Sequence, residues 1–215
     1  MTISPRVIKG GLVTMDPFTG AVLRVIPLQY NPDTLSRTLA LQASGAAGTD
    51  RTEALRIKGP AVETINLEAE IDLTDALEHP ADHPGAADVG LHPQLAALEA
   101  LVNPTAATLQ ANDSLQRSGT LEIIPMQSPL TVFVWSRHRV LPVRVTQLTI
   151  TEDAFDVALN PIRAKVTLAL RVLTVSDLGF DHRGGAMFMT YLRNAERLAA
   201  GARGTLAQLG ITALG

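Results

Sequence analysis

Between Ile162 and Val172, apolar and polar residues alternate almost without a break. Ile162, Ala164, Val166, Leu168, Leu170 and Val172 share one parity, and Arg163, Lys165, Thr167, Ala169 and Arg171 share the other. A period of two over that length predicts a β-strand with one apolar and one mostly basic face. Val62 to Asp72 repeats the pattern with the opposite charge. Ile65, Leu67, Ala69 and Ile71 face one way, and Thr64, Asn66, Glu68, Glu70 and Asp72 the other. Opposite charges on adjacent strands stabilise a pair by about 0.2–1 kcal/mol. The two charged faces are therefore expected to meet, within a subunit or across a subunit boundary.

The remaining elements are read from shorter patterns. Val22 to Gln29 is a strand that Pro27 limits to an edge or an end. Asn31-Pro32 begins a turn, and the chain re-enters a strand at Arg37–Gln42. Leu130 to Trp135 is almost wholly apolar, as in a strand buried on both faces. It closes a stretch from Leu121 that Pro125 and Pro129 interrupt. Ser136-Arg137-His138-Arg139 makes a basic turn at a hairpin tip. In the next strand Val143 and Val145 are out of phase with Leu148 and Ile150, which predicts a bulge or burial on both faces. Residues 151–156 and Asn160-Pro161 are expected to connect it to the final strand.

Leu91, Leu95, Leu98 and Val102 fall at helical spacing, with Pro93 in the first turn and Pro104 at the end. This helix is expected to cap the apolar face of the sheet. Residues 186–200 form a second amphipathic helix with Phe188, Tyr191, Leu192, Ala195 and Leu198 on one stripe. Gly201 ends it, and one further turn is expected over Thr205–Leu209. Residues 43–60, 73–90 and 103–120 read as polar loops, and 176–185 as a glycine-bearing linker. The expected organisation is a mainly β domain over residues 1–175, then a linker and helical tail over 176–215.

Composition narrows the chemistry. A chain of 215 residues with 46% hydrophobic and 18% charged residues can build a real core. The net charge of −3 and pI near 5.9 argue against a nucleic-acid binder. With no cysteine, disulfides, thiol catalysis and zinc–thiolate sites are excluded. The first residues, MTISPRVIKGGLV, lack the apolar core of a signal peptide, and no apolar run approaches the roughly 20 residues that span a bilayer. The chain is expected to be made soluble in the cytoplasm. His79 and His83 lie near Asp75, Glu78 and Asp82, but Pro80 and Pro84 break any helix that would give their spacing meaning. No reacting group has a partner at mechanistic spacing. Neither catalysis nor a cofactor or metal is expected, and the residues alone point to a β-rich domain that binds other protein.

Four segments taken together resemble the tube-protein domain of contractile injection systems, the phage-tail-like particles of bacteria. They are Leu23–Arg37 (LRVIPLQYNPDTLSR), Gly59–Ile65 (GPAVETI), His92–Glu99 (HPQLAALE), and Val140–Val145 (VLPVRV) running on to Asn160–Ala164 (NPIRA). The resemblance covers roughly residues 10–175. It implies a tail-tube-like β-barrel or sandwich subunit that assembles as a hexameric ring. Such a ring sits at the baseplate end of the inner tube as an initiator or adaptor that joins spike hub to tube. The implied partners are six copies of the chain, the inner tube protein, the spike or hub protein and baseplate components. No nucleic acid or membrane span is implied. The particle would be assembled in the cytoplasm and then released or docked at a membrane. Tube adaptors of this family often end in a LysM module, whereas residues 176–215 carry only a helical pattern.

Candidate subunit-interface residues follow from this reading. They are Tyr30, Asn31 and Arg37 around the Asn-Pro turn, Arg51, Arg56 and Lys58 in the 43–60 arm, and Glu68, Glu70, Arg163 and Lys165 on the strand faces. Two other readings compete. One is a non-catalytic adaptor or chaperone of the same particle. The other is a metal-dependent hydrolase using Asp75, His79, His83 and His92.

Overall fold

A computed structural model describes residues 8–43, 55–78, 84–118, 128–202 and 204–213. The protein is mainly β. Seven strands, β1 (Gly11–Met15), β2 (Val22–Pro27), β3 (Leu35–Ala40), β4 (Val62–Asp72), β5 (Leu130–Ser136), β6 (Arg139–Phe155) and β7 (Pro161–Val172), form one sheet. Its order is β2-β1-β5-β6-β7-β4-β3, and every ladder is antiparallel.

The two alternating segments become neighbours. β4 pairs with β7, which sets Glu70 opposite Lys165, Glu68 opposite Thr167 and Asp72 opposite Arg163. The expected meeting of acidic and basic faces therefore occurs within one subunit. The other parity supplies the core. Ile65, Leu67 and Ala69 of β4 and Ala164, Val166, Leu168, Leu170 and Val172 of β7 are all buried. Burial of a Val or Leu side chain is worth about 1.5–3 kcal/mol, so these two strands are the sheet's main source of apolar stabilisation.

The phase slip in β6 is a bulge. The register passes from Val145 opposite Leu170 to Gln147 opposite Ala169, skipping Thr146, and continues with Leu148 opposite Leu168. The Thr146 hydroxyl donates to the Ala169 carbonyl at 3.0 Å. One extra residue thus brings Val143, Val145, Leu148 and Ile150 to the same face, against the buried row of β7. β5 is buried on both parities, with Leu130, Thr131, Val132 and Phe133 all inaccessible.

Several expected loops are helical. Residues 73–90 hold α1 (Thr74–Glu78) and α2 (Pro84–Val89). Pro84 opens α2, where its missing N–H costs nothing, and breaks no helix there. Residues 103–120 hold α4 (Ala106–Arg117), whose first turn is capped by the Thr105 hydroxyl accepting from the Thr108 N–H. The expected linker contains α5 (Val175–Leu178), capped by Thr174 and Asp177, and α6 begins within it, spanning Arg183–Ala199. Residues 151–155 extend β6, so the connection to β7 is only 156–160. The chain also forms a strand ahead of Val22, β1, which buries Leu12. A final 3-10 turn occupies Leu206–Leu209.

The expected capping helix is α3 (His92–Glu99), which buries Leu95 and Leu98, with Leu91 buried just before it. Gly90, at φ 55°, makes its docking possible. A Cβ there would lie 2.5 Å from the Pro161 carbonyl, to which the Leu91 N–H donates at 2.8 Å. The C-terminal amphipathic helix α6 packs on this same domain. Phe188 is buried in the core, with Met189, Tyr191 and Leu192 beside it.

Candidate assembly surface

The sheet ends in two strands that carry no second ladder among the described residues, β2 and β3. They are consecutive in sequence yet stand at opposite ends of the strand order. On β2, Ile26 is buried, while Val22, Leu23 and Val25 are each more than half exposed. On β3, Leu39 is 57% exposed. Beyond it the hairpin with β4 continues through a bridge between Ala43 and Ile57 and a Lys58 N–H bond to the Gln42 carbonyl at 2.8 Å. Leu41, Leu55 and Ile57 are exposed there.

Two amides hold the β2 side. The Gln29 side chain donates to the Asp72 carbonyl at 2.6 Å and accepts from the Asp72 N–H at 2.9 Å. The Asn31 side chain donates to the Ile8 carbonyl and accepts from the Gly10 N–H, each at 2.9 Å. Each amide imitates one residue of a neighbouring strand. Gln29 ties the end of β2 to the end of β4, so the sheet rolls back on itself there. A half-open pocket of about 690 Å³ lies beside this tie, with Ile26, Leu28, Ala69, Ile71 and Leu98 on its apolar side and Lys9, Arg24, Asp72 and Asp75 among its polar lining.

Charge holds the β3 side. Arg37 donates through Nε to Glu63 at 2.5 Å and through Nη2 to the Tyr191 hydroxyl of α6 at 2.7 Å. Glu63 is only 4% exposed, so its carboxylate is largely desolvated, while the Arg37 side chain stays 26% exposed. The Glu63 hydrogen bond holds the Arg37 guanidinium above its ordinary pKa. Arg163 Nε meets Asp72 Oδ2 at 2.8 Å on the outer face. The Asp72 carboxyl lies below the ordinary carboxylate value, chiefly because the Thr74 hydroxyl and N–H donate to it, with Arg163 adding to the effect.

The sequence-derived residues therefore separate into groups. Glu68, Glu70, Arg163 and Lys165 share one exposed strand face. Arg37 stands opposite Ile65, on the other face, and serves an internal network. Asn31 spends its amide inside the subunit, while Tyr30 beside it is 47% exposed and outside the core. Arg56 and Lys58 are exposed near the Ala43–Ile57 bridge, and Arg51 lies outside the described residues. Of the hydrolase residues, Asp75 is on α1 and His92 opens α3, while His79 and His83 lie outside the described residues. No metal-holding cluster of His, Asp and Glu occurs among the described residues, nor a helix long and apolar enough to cross a membrane.

Sequence reasoning missed three features. The exposed apolar row on β2 was readable as Val22, Leu23 and Val25 beside an edge-limiting proline. The Arg37–Glu63–Tyr191 network joins residues up to 154 apart, and no local pattern signals it. The third is a groove of about 790 Å³ between the β5–β6 hairpin tip and α6, where Arg137, His138, Arg183 and Arg197 converge. The spacing of Arg183 and Arg197 along one helix was its signal.

No family model matches this chain, and no curated protein matches it. Among solved structures, a chain from the tail of an empty GTA particle, computed with helical refinement and C6 symmetry, is similar at 9% identity. The match covers 76% of this chain and 90% of that one, with a TM-score of 0.29. A chain from the virion of the native gene transfer agent (GTA) particle is similar at 8% identity over the same shares, with a TM-score of 0.28. At such TM-scores neither likeness assigns this chain a fold or a role.

Proposed function

We propose that this chain is a non-catalytic structural subunit of a bacterial contractile injection system. Six copies would form a ring at the baseplate end of the inner tube and join spike hub to tube. The pair of sheet edges left without a second ladder among the described residues carries this reading. A long edge with exposed apolar side chains is a hazard for a monomer, because it offers a template for any other strand. A head-to-tail ring removes both edges at once. β2 of one copy meets β3 of the next, and a rotation that closes leaves no edge over. The number six and the baseplate position rest on the sequence resemblance over residues 10–175, not on the edges.

Light scattering behind size exclusion, followed by negative-stain imaging of the same peak, tests it. Rings of about six copies are expected. Val25→Lys on β2 and Leu39→Lys on β3 should each leave a folded monomer, since an edge lysine opposes pairing without entering the core. A protein that stays monomeric even with spike and baseplate proteins present rules the ring out. Rings that persist in both lysine variants rule out the edges as the contact.

A further inference from the structure

We propose that the groove between the β5–β6 hairpin tip and α6 binds an acidic peptide segment of a partner protein. That segment carries apolar side chains between its carboxylates. In a chain of net charge −3, this groove gathers three guanidiniums and an imidazole, and among the described residues no carboxylate lines it. The hydrogen-bond partners of the cations are neutral. Arg137 Nε donates to His138 Nε2 at 3.0 Å, Arg183 Nη2 to the Thr19 carbonyl at 3.3 Å, and Arg197 Nη2 to Asn194 Oδ1 at 2.6 Å. Asn194 in turn donates through Nδ2 to the His138 carbonyl at 3.4 Å. A relay through His138 and Asn194 thus holds Arg137 and Arg197 along one wall. Arg183 also feels the Asp16 carboxylate, which leaves Arg137 and Arg197 as the less compensated pair.

Like charges fixed side by side repel, and an anion placed between them removes that cost. The floor of the groove is apolar, formed by Val140, Ala186 and Met187. The volume falls within the roughly 300–1,000 Å³ range of ligand pockets. A cationic rim over an apolar floor fits a peptide that alternates carboxylates with aliphatic side chains. A nucleic-acid backbone would use the rim and leave the floor empty. Among the described residues the one aromatic ring in the lining, Tyr191 (histidine aside), already has its hydroxyl engaged by Arg37.

Fluorescence anisotropy with the full chain and a labelled heptapeptide alternating glutamate and leucine tests this. The peptide should bind at low salt. Arg137→Glu and Arg197→Glu should each weaken it about tenfold, and the milder Arg197→Gln should weaken it about threefold. Lys9→Glu, a charge change of the same size elsewhere on the surface, should leave it unchanged. The same peptide with glutamine for glutamate should not bind. Equal weakening by Lys9→Glu would reduce the effect to overall charge and overturn the site. Equal binding of an all-glutamate heptapeptide would overturn the role of the floor. Tighter binding of an oligothymidylate of equal charge would overturn the peptide in favour of nucleic acid.

Discussion

The two edges of the sheet are fastened by different chemistry. β2 is held by neutral amides, Gln29 and Asn31, which bond backbone groups of β4 and of the segment before β1. β3 is held by a charged pair, Arg37 and Glu63, that reaches α6 through Tyr191. An amide clamp makes modest bonds that pH and salt hardly touch. A desolvated ion pair is worth little net while intact, but removing one partner strands the other charge in the interior. The β2 edge should therefore tolerate damage that the β3 edge does not.

The largest effect tests that asymmetry directly. Arg37→Ala should cost about 2–4 kcal/mol, read from denaturant midpoints, because Glu63 keeps its burial and loses its counter-charge. The double change Arg37→Met with Glu63→Gln should recover most of the loss. If it recovers nothing, the pair does more than balance charge. Gln29→Ala should cost less, about 1–2 kcal/mol, since two neutral hydrogen bonds are lost and water can reach the Asp72 backbone. A Gln29 loss equal to the Arg37 loss would abolish the contrast between the edges.

The outer strand face is a smaller lever. Glu70→Lys should cost about 0.2–1 kcal/mol, and Lys165→Glu in the same chain should restore it, as expected of exposed cross-strand pairs. No recovery in the double variant would remove the pairing. Asp72 gives the smallest effect, confined to acid. Its folded pKa lies below the unfolded value of about 3.9, so the unfolded chain binds the proton first as pH falls. The stabilisation is complete above about pH 4 and is lost below it. Melting curves of Asp72→Asn should start lower at neutral pH and fall less steeply in acid. The Gln29 clamp, which uses the backbone of Asp72, should survive in that variant.

How legible each element was follows from what shapes it. β4 and β7 could be read to within a residue because one face of each is buried and the other solvated, so alternation is enforced at every step. α4 left no apolar stripe. Its leucines, Leu109 and Leu115, are both half exposed, and it buries nothing. A helix made by its cap and its propensities looks like a polar loop in sequence. α2 was hidden by Pro84, which serves equally as a breaker and as a first residue. Of the candidate surface, the strand charges were visible because they repeat locally. The Gln29 clamp and the Arg37 network were not, because their partners lie 43 and 154 residues away.

Thr146 sets a rule about length. In a strand with one wet and one dry face, residues count as odd or even, and the extra Thr146 changes the count once, midway along β6. Deleting it alone would join Val145 to Gln147, remove the bulge and leave Leu148 and Ile150 still facing the core. Losing Thr146 and Gln147 together would turn the outer part of the strand over, sending Leu148 and Ile150 to water and Thr149 inward, and should be the harsher lesion. Elsewhere in β6 the rule reverses, and insertions and deletions should survive only in pairs.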